Sequence, residues 1–317
     1  MSRWQRTLKQ TLRFTGVGLH SGKKVAICIR PATSNSGISF YVGNKSCAIP
    51  ALIANVDVDK SQLCTQLTAN GTTVSTVEHL MAALIASRIN NAAIKLEGEN
   101  SQHSCVELPI LDGSSAEYME GIQRGGVEEQ EGAVLHYLRI TRPVQVIKHD
   151  KAAWFLPMPV DLSSSSLSLQ TPTLHMSVQV NFEHKHLGTT FCRFALGSNT
   201  ESTMNTFQQK IASARTFTFE KEIEWMQTNG LARGGSLDNA VVFSQVNQAK
   251  LATILNVEGL RFHDEWTRHK MLDCIGDIGL AGFPLHGYFF ATSPGHALTH
   301  ELLHELFKDP QNYVKVS

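Results

Sequence analysis

Apolar and polar residues alternate through Val25-Ala26-Ile27-Cys28-Ile29, the period-two pattern of a half-buried strand, with Gly16-Val17-Gly18 and Ser21-Gly22 as turn signals beside it. The period changes at residues 75–87 (STVEHLMAALIAS). There Val77, Leu80, Met81 and Leu84 recur at helical spacing and predict an amphipathic helix, with Ser75-x-x-Glu78 reading as its capping box. A strand is expected at 92–96, then a polar loop through Cys105 leading to Leu108-Pro109-Ile110-Leu111-Asp112-Gly113.

Residues 121–132 (GIQRGGVEEQEG) are glycine-rich and acidic between two periodic regions, which divides the chain into a first domain, 1–126, and a second, 127–317. The second half opens on strands around 144–147 and 177–180; the serine run at 163–166 between them is too short to predict disorder. Helices are expected at 206–216, 220–229 and 267–280, and a C-terminal helix from near Ala297. Each half therefore runs strands first, then a helix carrying a histidine two residues before a methionine (His79/Met81, His269/Met271). Two α+β halves facing each other would bring those helices together.

With 317 residues, 42% hydrophobic and 18% charged, the chain has the composition of a globular protein of one large domain or two ordinary ones. A formal net charge of zero gives no electrostatic footprint for nucleic acid. The charge is uneven, however. No Asp or Glu precedes Asp57, whereas Arg3, Arg6, Lys9, Arg13, Lys23, Lys24, Arg30 and Lys45 do. That block suits either an anionic partner or solvated edge strands. Six scattered cysteines without a Cys-x-x-Cys pair fit a reducing, cytoplasmic setting better than a disulfide framework. The basic opening has no apolar secretory core, and no apolar run is long enough to span a membrane.

The chemistry-bearing residues concentrate on two expected helices. Glu78-His79 begins one, and His269, Asp273 and Asp277, spaced by four, share one face of the other. Two imidazoles and a carboxylate would give a divalent metal three protein ligands and leave a position for water, as a catalytic centre requires. On the helix face alone, an ordinary buried network with Arg268 or Lys270 serves equally well, and a capping role for Glu78 stays open.

Other motifs carry less. Gly16-x-Gly18 lacks the third glycine of a dinucleotide fingerprint, since Ser21 stands there and strand-like sequence follows. His300-Glu301-Leu302-Leu303-His304 matches the metalloprotease motif literally. Yet only 13 residues follow His304, too few for the usual downstream ligand, position 307 is Phe, and the helix lies at the extreme terminus, where elements fray. His300 and His304 are therefore expected at solvated helix positions, and His184-Lys185-His186 in a loop or strand end.

Taken together, STVEHLMAAL, SARTF, GLARGGSLDNAVV, GLRF, RHKMLDCIGDIGL and GHAL, with QRTLKQTLRFTGVGLHSGKK and ELPILDGSSAEY, resemble the bacterial UDP-3-O-acyl-N-acetylglucosamine deacetylases of lipid A biosynthesis. The similarity runs in order over residues 5–303. It implies an α+β fold of two similar layered halves, helices packed between two sheets, with the site at their interface. It further implies Zn2+ (or Fe2+ in the same ligands) on His79, His269 and Asp273, and Glu78 as the base that deprotonates the attacking water. Thr216 would stabilise the oxyanion, His296 oriented by Asp277 would protonate the leaving amine, and Lys270 would lie near the substrate's phosphates. The implied substrate is a UDP-linked acylated amino-sugar, bound also by His20 and Phe217, with its acyl chain in a passage lined by Phe219, Ile223, Ala232 and Val242. No nucleic acid or other partner is implied, and a monomer is sufficient.

Three positions depart from that pattern: Thr218 where Gly is usual, Ser293 where a lysine often stands, and a longer loop over residues 99–106. They bear on acyl length and nucleotide affinity. Thr218 and Ser293 also motivate the alternative of a weakly active or non-catalytic paralogue that binds a UDP-linked acyl sugar or a protein partner.

Overall fold

The computed structural model describes residues 3–43, 47–58, 60–61, 63–98, 105–159, 172–182, 187–197, 200–246 and 251–317. The histidines at 184 and 186, the serines at 163–166 and most of the loop at 99–106 lie outside these residues. The fold is α+β. Its helices are α1 (Glu78–Ala86), α2 (Ala116–Gly125), α3 (Thr200–Phe207), α4 (Glu220–Thr228), α5 (Glu265–Ile278) and α6 (His296–Lys308).

A five-stranded sheet runs in the order Leu12–Val17, Lys24–Pro31, Ala92–Gly98, Ile38–Val42, Ile49–Pro50, with a parallel pairing only between Ile38–Val42 and Ala92–Gly98. A seven-stranded sheet is organised around Leu285–Thr292. That strand lies antiparallel to Lys151–Leu156 and parallel to both Leu174–Asn181 and Tyr137–Ile140. Along Leu174–Asn181 every second residue is buried, so one face of this sheet meets the core. One continuous apolar cluster joins residues of both sheets and the helices.

The glycine-rich acidic stretch is not a free linker. Val127–Val134 forms a strand antiparallel to Trp4–Leu8, and Arg6 of the basic opening meets Glu129 at 2.6 Å across that pair.

The element that places the site is the contact between α1 and α5. A Cβ added at Gly276 would lie 2.2 Å from the Glu78 carbonyl oxygen, and one at Gly279 would lie 2.6 Å from Ile85 Cγ1. Three residues apart, the two glycines share a face. They let the backbones approach more closely than any side chain would permit.

Three expectations are corrected. Ser75 ends a strand and does not cap α1; the cap position is Val77, and no side chain caps it. Glu78 is therefore not half of a capping box. The helix expected at 206–216 begins earlier, at Thr200, and a π-helical turn over residues 208–212 ends it, because the buried stripe is Phe207, Ile211 and Ala212. Thr216 lies beyond it in extended chain. The C-terminal helix is not a frayed end: the following strand, Tyr313–Val316, pairs with Tyr137–Ile140.

Gly276→Ala should overpack the α1–α5 contact and cost about 1–3 kcal/mol, measurable by urea unfolding. An unchanged unfolding midpoint would contradict the close approach described.

Candidate active site

His79 from the first turn of α1 and His269 and Asp273 from one face of α5 converge, all buried, with their ligand atoms within 4.8 Å of one another. Asp273 Oδ1 lies 3.5 Å from His269 Nε2 and 3.9 Å from His79 Nε2. His269 Nδ1 is 2.9 Å from the Ala214 carbonyl, which can only accept, so Nδ1 carries the proton and Nε2 presents a lone pair to the cluster. Burial, reinforced by the neighbouring His269, holds His79 down to about 3, so it too is neutral. Burial opposes a charge on Asp273, but His269, Lys270, His296 and His79 outweigh it and hold the carboxyl below its usual range. Two neutral imidazole nitrogens and a carboxylate oxygen form a donor set that fits a divalent cation.

Beside this cluster stands a carboxylate–imidazole pair. Glu78 Oε2 accepts the Thr65 backbone N–H at 3.0 Å, and Oε1 lies 3.8 Å from His296 Nε2. His296 Nδ1 donates to Asp277 Oδ2 at 2.9 Å. Burial pushes Glu78 up to about 8, with Asp273 and Asp277 adding to it and His296 opposing. Burial works against a charged His296, yet Asp277 first, then Glu78 and Asp273, raise it to about 10. A buried pair of this kind can accept one proton and deliver another.

Lys270 donates to Asp273 Oδ2 at 3.0 Å and lies over the Phe217 ring. Burial disfavours its charge, but Asp273 more than restores it and keeps the ammonium protonated. Arg215 is 1% exposed and paired with Glu265, also 1% exposed. Glu265 Oε1 accepts both the Arg215 backbone N–H and Nε–H at 2.9 Å, while Oε2 accepts the Arg261 backbone N–H at 2.7 Å. This clamp ties the loop that carries the Ala214 carbonyl to the first turn of α5, and so sets the His269 ring.

A groove of about 310 Å³, open to solvent, is lined by His20, Thr216, Phe217, Thr218, Ile223, Ala232 and Val242 among others. Phe219 is not on its wall. It packs against Phe182 and Phe243 instead. Along one side the Leu19 and His20 carbonyls accept backbone N–H groups of Gly234 and Arg233, so the segments holding GLHSG and GLARGG meet. His20 Nε2 is buried without a partner, and burial lowers the pKa of its ring. Thr218 donates to Glu222 at 3.2 Å at the start of α4, and Ser293 adopts a φ of 47° beside His296.

His300 was expected in solvent; it is fully buried, on the face of α6 that also carries His296. Only His304 of that motif is exposed. No motif in the sequence flags Thr65, and none assigns a role to Arg215. A buried-face reading of α6, with Leu298, Leu302, Leu303 and Leu306 as the apolar stripe, leaves His296 and His300 next to that stripe and was the available signal for His300.

The fold and the site define an α+β protein with a buried His-His-Asp cluster fit for a metal, flanked by a carboxylate–imidazole pair and joined through Phe217 to an open groove. Residues 5–308 match the family described as UDP-3-O-acyl N-acetylglycosamine deacetylase, and the chain belongs to that family. It is 41% identical over 313 residues to a protein of Myxococcus xanthus (strain DK1622), covering 98% of this chain and 88% of that one. It is 38% identical over 316 residues to a protein of Histophilus somni (strain 129Pt), covering 99% and 93%. A Geobacter sp. (strain M21) protein is 36% identical over 313 residues, covering 99% and 92%. All three are named UDP-3-O-acyl-N-acetylglucosamine deacetylase.

Glu265→Ala leaves the buried Arg215 with Glu258 and the Gly259 carbonyl as its partners and two backbone N–H groups unpaired, so it should cost about 2–4 kcal/mol in urea unfolding. A loss below about 1 kcal/mol would show the clamp to be dispensable.

Proposed function

We propose that this chain hydrolyses the N-acetyl group of a UDP-linked, 3-O-acylated N-acetylglucosamine, releasing acetate in the committed step of lipid A biosynthesis. The observation that carries the reading is the convergence of His79, His269 and Asp273 within 4.8 Å directly beside the Glu78–His296 pair, in a chain whose relatives bear that activity in their names. The three ligands would hold Zn2+, with Fe2+ suited to the same donors. When bound, the cation supplies Lewis-acid polarisation and makes water acidic enough to ionise near neutral pH.

The chain's own residues do the rest. Glu78, fixed by the Thr65 N–H, takes the proton of the attacking water. The Thr216 hydroxyl, at the groove end, donates to the oxygen that gains charge. His296 holds a proton on Nε2, the nitrogen facing Glu78, because Nδ1 is committed to Asp277; it delivers that proton to the departing amine. Lys270 remains cationic and serves the phosphates of the nucleotide. Ile223, Ala232 and Val242 accept the acyl chain, where each buried methylene contributes about 0.8 kcal/mol. Among the described residues no helix is long and apolar enough to cross a membrane, and the reading places the reaction in the cytoplasm.

Glu78→Ala should retain about one metal per chain while losing about 10²–10⁴-fold in acetate release; full activity would remove Glu78 from the mechanism. The rate should also fall at high pH as His296 loses its proton. Asp277 is what holds that proton against burial, so Asp277→Asn should move this basic limb to lower pH. A limb that stays in place would refute His296 as the acid.

A further inference from the structure

The Asp277, His296 and His300 side chains form a second buried group whose ligand atoms lie within 4.8 Å of one another. Its centre is filled by a hydroxyl. Thr65 Oγ1 donates to Asp277 Oδ1 at 2.5 Å and lies 3.1 Å from His300 Nε2 and 3.2 Å from His296 Nδ1. His300 Nε2 is also 3.3 Å from Asp277 Oδ1. Thr65 has one hydroxyl proton and spends it on Asp277, so His300 must supply its own proton from Nε2. Its Nδ1 is then a bare lone pair, and that atom is buried without a hydrogen-bond partner. Asp277 thus receives Thr65 and His300 on one oxygen and His296 on the other. Thr65 does a second thing: its backbone N–H holds Glu78 Oε2 at 3.0 Å.

Resting on the assignment of Glu78 as base and His296 as acid, we propose that Thr65 and His300 are positioning residues that set the two against each other. Thr65 ties the base to the acid's carboxylate partner. His300 pins that carboxylate in the orientation that commits His296 Nδ1 and leaves Nε2 to work. The titratable and charged groups facing the pair are Asp277, Asp273 and His269 from α5, Glu78 and His79 from α1, and His20 from the loop after Leu12–Val17. Both donors to Asp277 Oδ1 draw on a negative charge that His296 would otherwise feel in full.

The test uses zinc-loaded protein with ¹⁵N-labelled histidine. In Thr65→Val and His300→Leu the His296 resonance should titrate about half a pH unit higher or more, the basic limb of kcat should follow it, and kcat should fall roughly tenfold with KM little changed. Thr65→Ser and His300→Gln, which keep a donor in place, should return both readouts towards the parent protein. An unmoved His296 titration with unchanged kcat, or a loss explained entirely by the folded fraction in urea, would reduce both residues to packing. Should the parent protein release no acetate, the deacetylase reading fails on that arm alone, and the His296 titration still decides whether Thr65 and His300 control that ring.

Discussion

The backbone contact between α1 and α5 is the constraint on which everything else depends. Gly276 has room for no side chain against the Glu78 carbonyl, so the helix that carries His79 lies flush on the helix that carries His269 and Asp273. A single intervening methyl group would move ligand atoms apart by a distance comparable with a metal–ligand bond. The Ser115 hydroxyl donates to the His79 carbonyl at 2.7 Å and the Ala214 carbonyl receives the His269 ring, so the His79 backbone and the His269 imidazole are also fixed from outside the pair. The buried Arg215–Glu265 clamp extends that support to the loop behind His269.

Close approach creates an electrostatic problem, and the same residues resolve it. Glu78, Asp273 and Asp277 are three carboxylates buried within one helix interface. Asp273 is balanced by the cationic Lys270 and His296, and Asp277 by His296 with Thr65 and His300 as further donors. Glu78 alone is pushed upward, towards the pH at which a base is useful. An unpaired carboxylate in such a place is costly, which makes its position beside a cation-binding cluster a matter of stability as well as chemistry.

The sequence revealed most where periodicity and chemistry coincide. Val77, Leu80, Met81 and Leu84 mark α1, and the four-residue spacing of His269, Asp273 and Asp277 puts them on one face of α5, so the cluster could be proposed before any coordinates. Long-range partners were opaque. Thr65 lies in irregular chain before α1, and only folding brings its hydroxyl to Asp277, 212 residues away. His300 was misplaced because a histidine near a chain end looks solvated unless the strand that follows it is known to pair back into the sheet. The start of α3 was missed because its first turn is polar, with Glu201, Ser202 and Thr203 ahead of the first apolar residue, Met204. Phe219 was set on the groove wall by its neighbours in sequence, but it packs into an aromatic cluster with Phe182 and Phe243.

The most direct measurement is anomalous diffraction at the zinc absorption edge from crystals of the zinc-loaded protein. A single peak within bonding distance of His79 Nε2, His269 Nε2 and an Asp273 oxygen, with the Thr65 hydroxyl still seated among Asp277, His296 and His300, is the predicted result. A peak among Asp277, His296 and His300 with none at the first cluster would contradict it.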